Sequence, residues 1–135
     1  MTDLERARRV FADNPYALEL TGCTIEAVGA GYAKCCLAVE PKHLNSLGAV
    51  MGGAIYTLAD MAYAVASNFD RDVFVTQSSS LYFVKAASGG VLTAEARELR
   101  AGRRTCTFSI EVRDDTGALI AHGTMAGTRV MERNK

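Results

Sequence analysis

Between Lys42 and Asp70 the sequence carries a single formally charged side chain, Asp60, set among alanines, glycines and large apolar residues. A carboxylate buried without a partner costs several kcal/mol or takes up a proton instead. Aspartate is also a poor helix former away from an N-terminus. Two readings compete for it. In one, Asp60 is a buried acid satisfied by Tyr or Ser hydroxyls, or the cap of another element. In the other, it faces a polar cleft as a nucleophile or general base. A base of that kind needs a group that polarises the bond under attack. The nearest candidates are the loop from His43 to Gly48 and the segment Met51-Gly52-Gly53. Amides at a helix N-terminus, unshielded by a Cβ, form a site for a negative oxygen, which is oxyanion-hole chemistry. Asn45 adds a side-chain amide for the same task or for holding a water. The competing readings are tight helix packing for Gly52 and Gly53, and a local turn cap for Asn45.

The element carrying Asp60 comes next. From Met51 to Asn68 nearly every residue is small or apolar, and five alanines favour helix. A helix apolar all round is either a buried helix or a membrane span. Asp60 at mid-bilayer would cost about 2.5–3.5 kcal/mol, and the glycines, Thr57 and two tyrosines weaken a span further, so a buried central helix is expected. On one helix Gly52 and Asp60 lie about 12 Å apart along the axis at 1.5 Å per residue. A base and an oxyanion donor must both come within about 3 Å of one carbonyl group. Two antiparallel helices related by a two-fold axis would satisfy that, bringing Gly52 of one chain to Asp60 of the other. The same second subunit would cover the face of the helix that one sheet leaves bare.

Around this helix the chain reads as a short amphipathic helix over residues 3–12, stopped by Asn14-Pro15, then mostly β. The texture turns β-like at Ala17. Strands are predicted over residues 24–28 and 32–39, joined at Gly29-Ala30-Gly31, and then over 73–84, 91–99, 104–112 and 118–131. Turns at Ser88-Gly89-Gly90, Gly102 and Asp114-Asp115-Thr116-Gly117 make neighbours antiparallel. The fold class is α+β, an antiparallel sheet of about six strands across one long central helix, in a single domain spanning residues 1–135.

Composition narrows the chemistry. The 135 residues hold 15 Lys plus Arg against 15 Asp plus Glu, so the basic excess needed for nucleic acid or an anionic membrane is missing. Cys23, Cys35, Cys36 and Cys106 make no C-x-x-C pair, and with only two histidines they give no metal-ligand pattern. They read as small buried hydrophobes in a reducing compartment. The N-terminus lacks the basic start and apolar run of a secretory signal, and a cytoplasmic protein is expected. Neither a P-loop nor a G-x-S-x-G elbow occurs.

The run Asn45-Ser46-Leu47-Gly48-Ala49-Val50-Met51-Gly52-Gly53, followed by Leu58-Ala59-Asp60, resembles the N-x-x-G-x-x-H-G-G…D pattern of hotdog-fold acyl-CoA thioesterases, in the branch named for phenylacetate degradation. The similarity extends from about Leu20 to Val130. The resemblance implies a homodimer, often paired into a dimer of dimers, with the long helix wrapped by a curved sheet and active sites at the dimer interface. It implies acyl-CoA as substrate and no cofactor. Asp60 would be the nucleophile or general base, the Gly52 amide would polarise the thioester carbonyl, and Asn45 would orient the thioester or the attacking water. Gly48 and Gly53 complete the motif as substrate-binding positions. Some members place a Ser or Thr beside the water on the strand after the helix. Thr76 matches best, with Ser78 the alternative if the alignment shifts. One position departs from the pattern, since Met51 stands where the family has histidine. Arg103 and Arg104, at the Gly102 turn, are candidates for the coenzyme A phosphates, against the plainer reading of a solvated hairpin tip. Tyr56, Tyr63 and Phe83 are candidates to line an aromatic pocket, against an ordinary core role.

Overall fold

The computed structural model describes residues 1–133. Helix α1 (Asp3–Val10) opens on Thr2, whose hydroxyl accepts the Glu5 amide at 3.1 Å while the Glu5 carboxylate accepts the Thr2 amide at 2.9 Å. This reciprocal cap satisfies two otherwise orphaned donors. Residues 15–21, where extended chain is expected from Ala17 onward, instead form a π-helical turn (Pro15–Thr21). Local caps override the texture. Pro15 fixes φ at the first position, Asn14 Oδ1 accepts the Ala17 amide at 3.1 Å, and Gly22 at φ +93° closes the turn by donating to Ala17 O at 3.1 Å.

Strands β1 (Cys23–Gly29) and β2 (Tyr32–Ala38) form the expected hairpin. Helix α2 (Gly52–Asn68) follows a short 3-10 turn, and β3 (Val73–Phe83), β4 (Val91–Ala101), β5 (Thr105–Arg113) and β6 (Leu119–Met131) complete the chain. All pairings are antiparallel, in the order β1-β2-β4-β5-β6-β3. The sheet order departs from the hairpin expected across the Ser88-Gly89-Gly90 turn. β3 and β4 are consecutive in sequence but not adjacent in the sheet, because β3 forms the far edge beside β6. Residues 84–90 carry the chain past the ends of β6 and β5, about 14 Å at the usual strand spacing. The crossing is held where the Val84 amide donates to Ile120 O at 2.8 Å and Ala87 O accepts the Val50 amide at 2.7 Å.

Helix α2 touches all six strands. Leu58, Ala59, Ala62, Tyr63 and Val65 are buried on it, against Leu92, Ala94 and Ala96 of β4 and Phe108 and Ile110 of β5 among others. The alanines of β4 let the helix lie close. The cysteines are free thiols, with Cys35 buried and Cys36 on the opposite, half-open face, as strand alternation requires. Within one chain the helix is not covered all round. A stripe through Gly53, Tyr56, Thr57, Asp60 and Ala64 stays partly open.

Candidate active site

Gly52, Tyr56, Asp60 and Tyr63 follow one another at spacings of four, four and three, so they fall along one side of α2. That side meets β3 and β6 point by point. A Cβ built on Gly52 would lie 3.5 Å from the Phe83 ring. Tyr56 Oη shares a 2.8 Å hydrogen bond with Ser79 Oγ. Thr76 stands beside Asp60, its side chain favouring the ionised carboxylate, and the Tyr63 hydroxyl reaches the notch left by Gly127. Thr76 and Ser79 are three residues apart, which on a regular strand would send them to opposite faces. A bulge at Gln77 restores the parity, with Thr76 opposite Gly127 and Ser78 already opposite Ala126. Ser78 therefore shares a rung with the outward residue Ala126, and Thr76 is the hydroxyl given to Asp60.

Asp60 is half-buried and lines an open cleft of about 380 Å³ together with Asn14, Tyr16, Tyr56, Thr57 and Met61. Burial pushes its carboxyl above the ordinary range, and the Thr76 side chain pulls it partly back. The result is a carboxylate open to small molecules, more basic than a surface aspartate and oriented by a hydroxyl. The wall contributed by Asn14 and Tyr16 was missed in sequence, because Asn14-Pro15 reads only as a helix stop. Asn14 in fact ties the π-helical turn to α2, donating from Nδ2 to Met61 Sδ at 3.5 Å.

At its other end α2 begins at Gly52 with no side-chain cap from Met51. The first intrahelical bonds run from the Ala54 and Ile55 amides to Met51 O, at 2.9 and 3.3 Å. The Gly52 and Gly53 amides precede the helical ladder and point out of its end. Gly52 borders a cleft of about 300 Å³ with Ile55, Phe83 and Lys85, and Gly53 borders the Asp60 cleft. The helix start is pinned by the Met51 amide donating to His43 O at 2.8 Å. His43 itself is buried, its Nδ1 accepting the Glu40 amide at 2.9 Å and its Nε2–H donating to Thr21 O at 2.6 Å. It braces the loop against the π-helical turn.

Asn45 performs the turn-capping role, its Oδ1 accepting the Leu47 and Ala49 amides at 2.9 and 3.1 Å. Those bonds leave Nδ2 as its remaining donor group. Gly48 sits at φ +81°, the left-handed region that closes this loop. Met51 is 59% exposed on a cleft of about 360 Å³ shared with Tyr16, Leu20, Lys42 and His43. Arg103 and Arg104 are exposed at the β4–β5 turn, beyond the Ala101–Cys106 rung. That is the end of the sheet where α2 finishes, so one chain does not bring them to Gly52. Of the three candidate aromatics, Tyr56 edges the Asp60 cleft and Phe83 covers Gly52. Tyr63 belongs to the core, its ring edge-on to Phe108 with centroids 5.7 Å apart.

Residues 47–121 match the family model described as the thioesterase superfamily. The acyl-coenzyme A thioesterase PaaI of Escherichia coli is 28% identical over 101 residues, covering 74% of this chain and 72% of that protein. The E. coli PaaI structure superposes with a TM-score of 0.89 over 96% of this chain and 95% of that one, at 23% identity. A mutant of the phenylacetic acid degradation protein PaaI from Thermus thermophilus is 31% identical, covering 87% of this chain and 100% of that one, with a TM-score of 0.81. A hypothetical thioesterase protein from Streptococcus pneumoniae, solved with coenzyme A, is 25% identical over 94% of this chain and 99% of that one, with a TM-score of 0.85. The sheet around α2 is the hotdog fold.

Proposed function

The chain belongs to the thioesterase superfamily, and from that premise we propose that it hydrolyses an acyl-CoA thioester to the free acid and CoA. The observation that carries this reading is Asp60, partnered by Thr76 and facing an open cleft. As general base, Asp60 takes a proton from water as the water oxygen bonds to the thioester carbon. The negative charge that develops on the carbonyl oxygen is met by the Gly52 amide and the rest of the uncapped helix start. Collapse of the tetrahedral intermediate breaks the carbon–sulfur bond, and the proton held by Asp60 leaves with the CoA thiol. If Asp60 attacks directly, a mixed anhydride forms with loss of CoA thiolate, and water then hydrolyses it. Asn45 Nδ2 orients the thioester or the water.

Asp60 and the Gly52 amide are about 12 Å apart on one helix, so the proposed site is completed by a second copy whose α2 runs antiparallel. Met51, Tyr56, Val75 and Phe83 are all more than a third exposed and lie at the start of α2, on α2 and on edge strand β3, which supports a second copy seated on this side. Two such dimers pairing further, with Arg103 and Arg104 meeting the CoA phosphates, complete the proposal. The names of the E. coli and S. pneumoniae relatives support an acyl-CoA substrate. No helix among the described residues is long and apolar enough to cross a membrane, and the proposed partners include neither membrane nor nucleic acid.

The test is free-thiol release from a panel of acyl-CoAs by the wild-type chain and by Asp60→Asn. Hydrolysis that depends on Asp60 supports the reading, and activity indifferent to Asp60 refutes it. A second reading is favoured by Met51, which lacks the donor that the family's histidine would offer. The chain would then bind an acyl-CoA without turning it over, and acyl-CoA would raise its melting temperature with no thiol released.

A further inference from the structure

Tyr63 is the one aromatic on the Asp60 side of α2 that does not reach the cleft, and its hydroxyl ends in an unusual place. A Cβ built on Gly127 would lie 1.9 Å from Tyr63 Oη, 3.0 Å from Val75 O and 3.3 Å from Cys106 Sγ. The phenol therefore occupies the space that any other residue at position 127 would fill. Gly127 is not at a turn. It lies within β6, opposite Thr76 of β3 on one side and Cys106 of β5 on the other. Tyr63, in turn, is three residues from Asp60 on α2. The notch in the sheet and the peg on the helix are thus the immediate neighbours of the two groups that meet at the site.

We infer that Tyr63 and Gly127 form a peg and notch that set the separation of α2 from the β3–β6 rung, and so hold Asp60 against Thr76 as positioning residues. The inference rests on the proposed hydrolysis at Asp60. The ring has little freedom to evade a crowded notch, since it is 1% exposed and packed edge-on against Phe108. The hydroxyl has Cys106 Sγ as a partner at 3.7 Å within the same notch. Filling the notch with a methyl group requires the phenol to withdraw about 1.5 Å to regain ordinary contact at 3.4 Å. With the ring gripped, much of that shift passes to α2, and Asp60 moves away from Thr76. A misplacement of about 1 Å can cost about 100-fold in rate.

The experiment is a size swap. Gly127→Ala, Tyr63→Phe and the double variant Tyr63→Phe/Gly127→Ala are compared with wild type for kcat, KM, the pH profile of hydrolysis and melting temperature. Thr76→Val serves as the reference for a lost Asp60–Thr76 contact. Gly127→Ala is expected to lower kcat by about 100-fold with KM within about threefold. It should also move the acid limb of the profile upward, as Thr76→Val does. In the double variant the new methyl group takes most of the place of the missing oxygen, with the Val75 carbonyl, 3.0 Å away, giving by a few tenths of an ångström, and kcat and the acid limb return most of the way to those of Tyr63→Phe alone. Three outcomes overturn the inference: a fully active Gly127→Ala, a double variant no better than Gly127→Ala, or a loss of melting temperature with an unmoved pH profile. If Gly127→Ala does not fold, a folded and active double variant still establishes the swap, and an unfolded one refutes it. A wild-type chain inactive on every acyl-CoA would defeat the hydrolysis reading separately. The peg and notch would then be read from whether the double variant regains the melting temperature that Gly127→Ala loses.

Discussion

Replacing Asp60 by Asn separates chemistry from packing, because the two side chains have nearly the same shape. The amide keeps an oxygen to accept from Thr76 but cannot take a proton from water. General base catalysis contributes about 10²–10⁴ in rate, so turnover should fall by that factor, equivalent to about 2.7–5.4 kcal/mol in the barrier. Stability should move the other way. Burial raises the Asp60 carboxyl in the folded chain, so between the unfolded value and that raised value the folded state holds a proton the unfolded state has released. Stability therefore declines as pH rises through this window, and at neutral pH the ionised carboxylate is a net destabilising group. Asp60→Asn removes that burden. Its melting temperature at pH 7 should exceed the wild type's, and the difference should vanish as pH falls below 3.8, the ordinary value for the group. Thiol release on the best acyl-CoA and thermal melts across pH, with oligomeric state checked by light scattering, read all of this. Near-wild-type turnover, or a variant less stable than wild type at pH 7, would refute the reasoning.

Thr76→Val keeps the shape and removes the hydroxyl that favours the ionised form of Asp60. The acid limb of the kcat/KM profile should move to higher pH, and an unmoved limb would show that Thr76 is only a strand residue. Asn45→Asp retains the oxygen that accepts the Leu47 and Ala49 amides but loses the Nδ2 donor. Melting temperature should hold while kcat falls by about 100-fold, the cost of misplacing a reacting group by about 1 Å. His43→Leu leaves the Glu40 amide and Thr21 carbonyl without their buried partner. Urea unfolding should register a loss of about 1–3 kcal/mol.

The strands and α2 were legible because their signals are local. Alternation in residues 104–112 puts Cys106, Phe108, Ile110 and Val112 on one face, and all four are buried. Asp60 stood out as a charge in an apolar helix, whatever its neighbours. Three features were hidden because they depend on partners distant in sequence or on backbone detail. The π-helical turn at Pro15–Thr21 is set by capping from Asn14 and Gly22, which outweighs the β-like texture. The sheet order turns on residues 84–90 crossing two strand ends rather than closing a hairpin. The choice between Thr76 and Ser78 was undecidable in sequence, since a one-residue bulge reverses which face each occupies. For Arg103 and Arg104 the sequence offered charge at a turn, and a turn at the sheet's far end is where they lie.

The strand order has a consequence for how the protein comes into being. Thr76 is held opposite Gly127, a residue that lies three strands later in the chain. During synthesis α2 and β3 emerge together, yet β3 has no neighbour to pair with until β6 has left the ribosome. Closing so long a span is the slow kind of step in assembly, and until it happens an unpaired edge and a greasy helix are both laid bare, a hazard for aggregation. The rung that completes the sheet is also the one that brings Thr76 to Asp60, so under the proposed mechanism a nascent chain gains its site only when β6 docks.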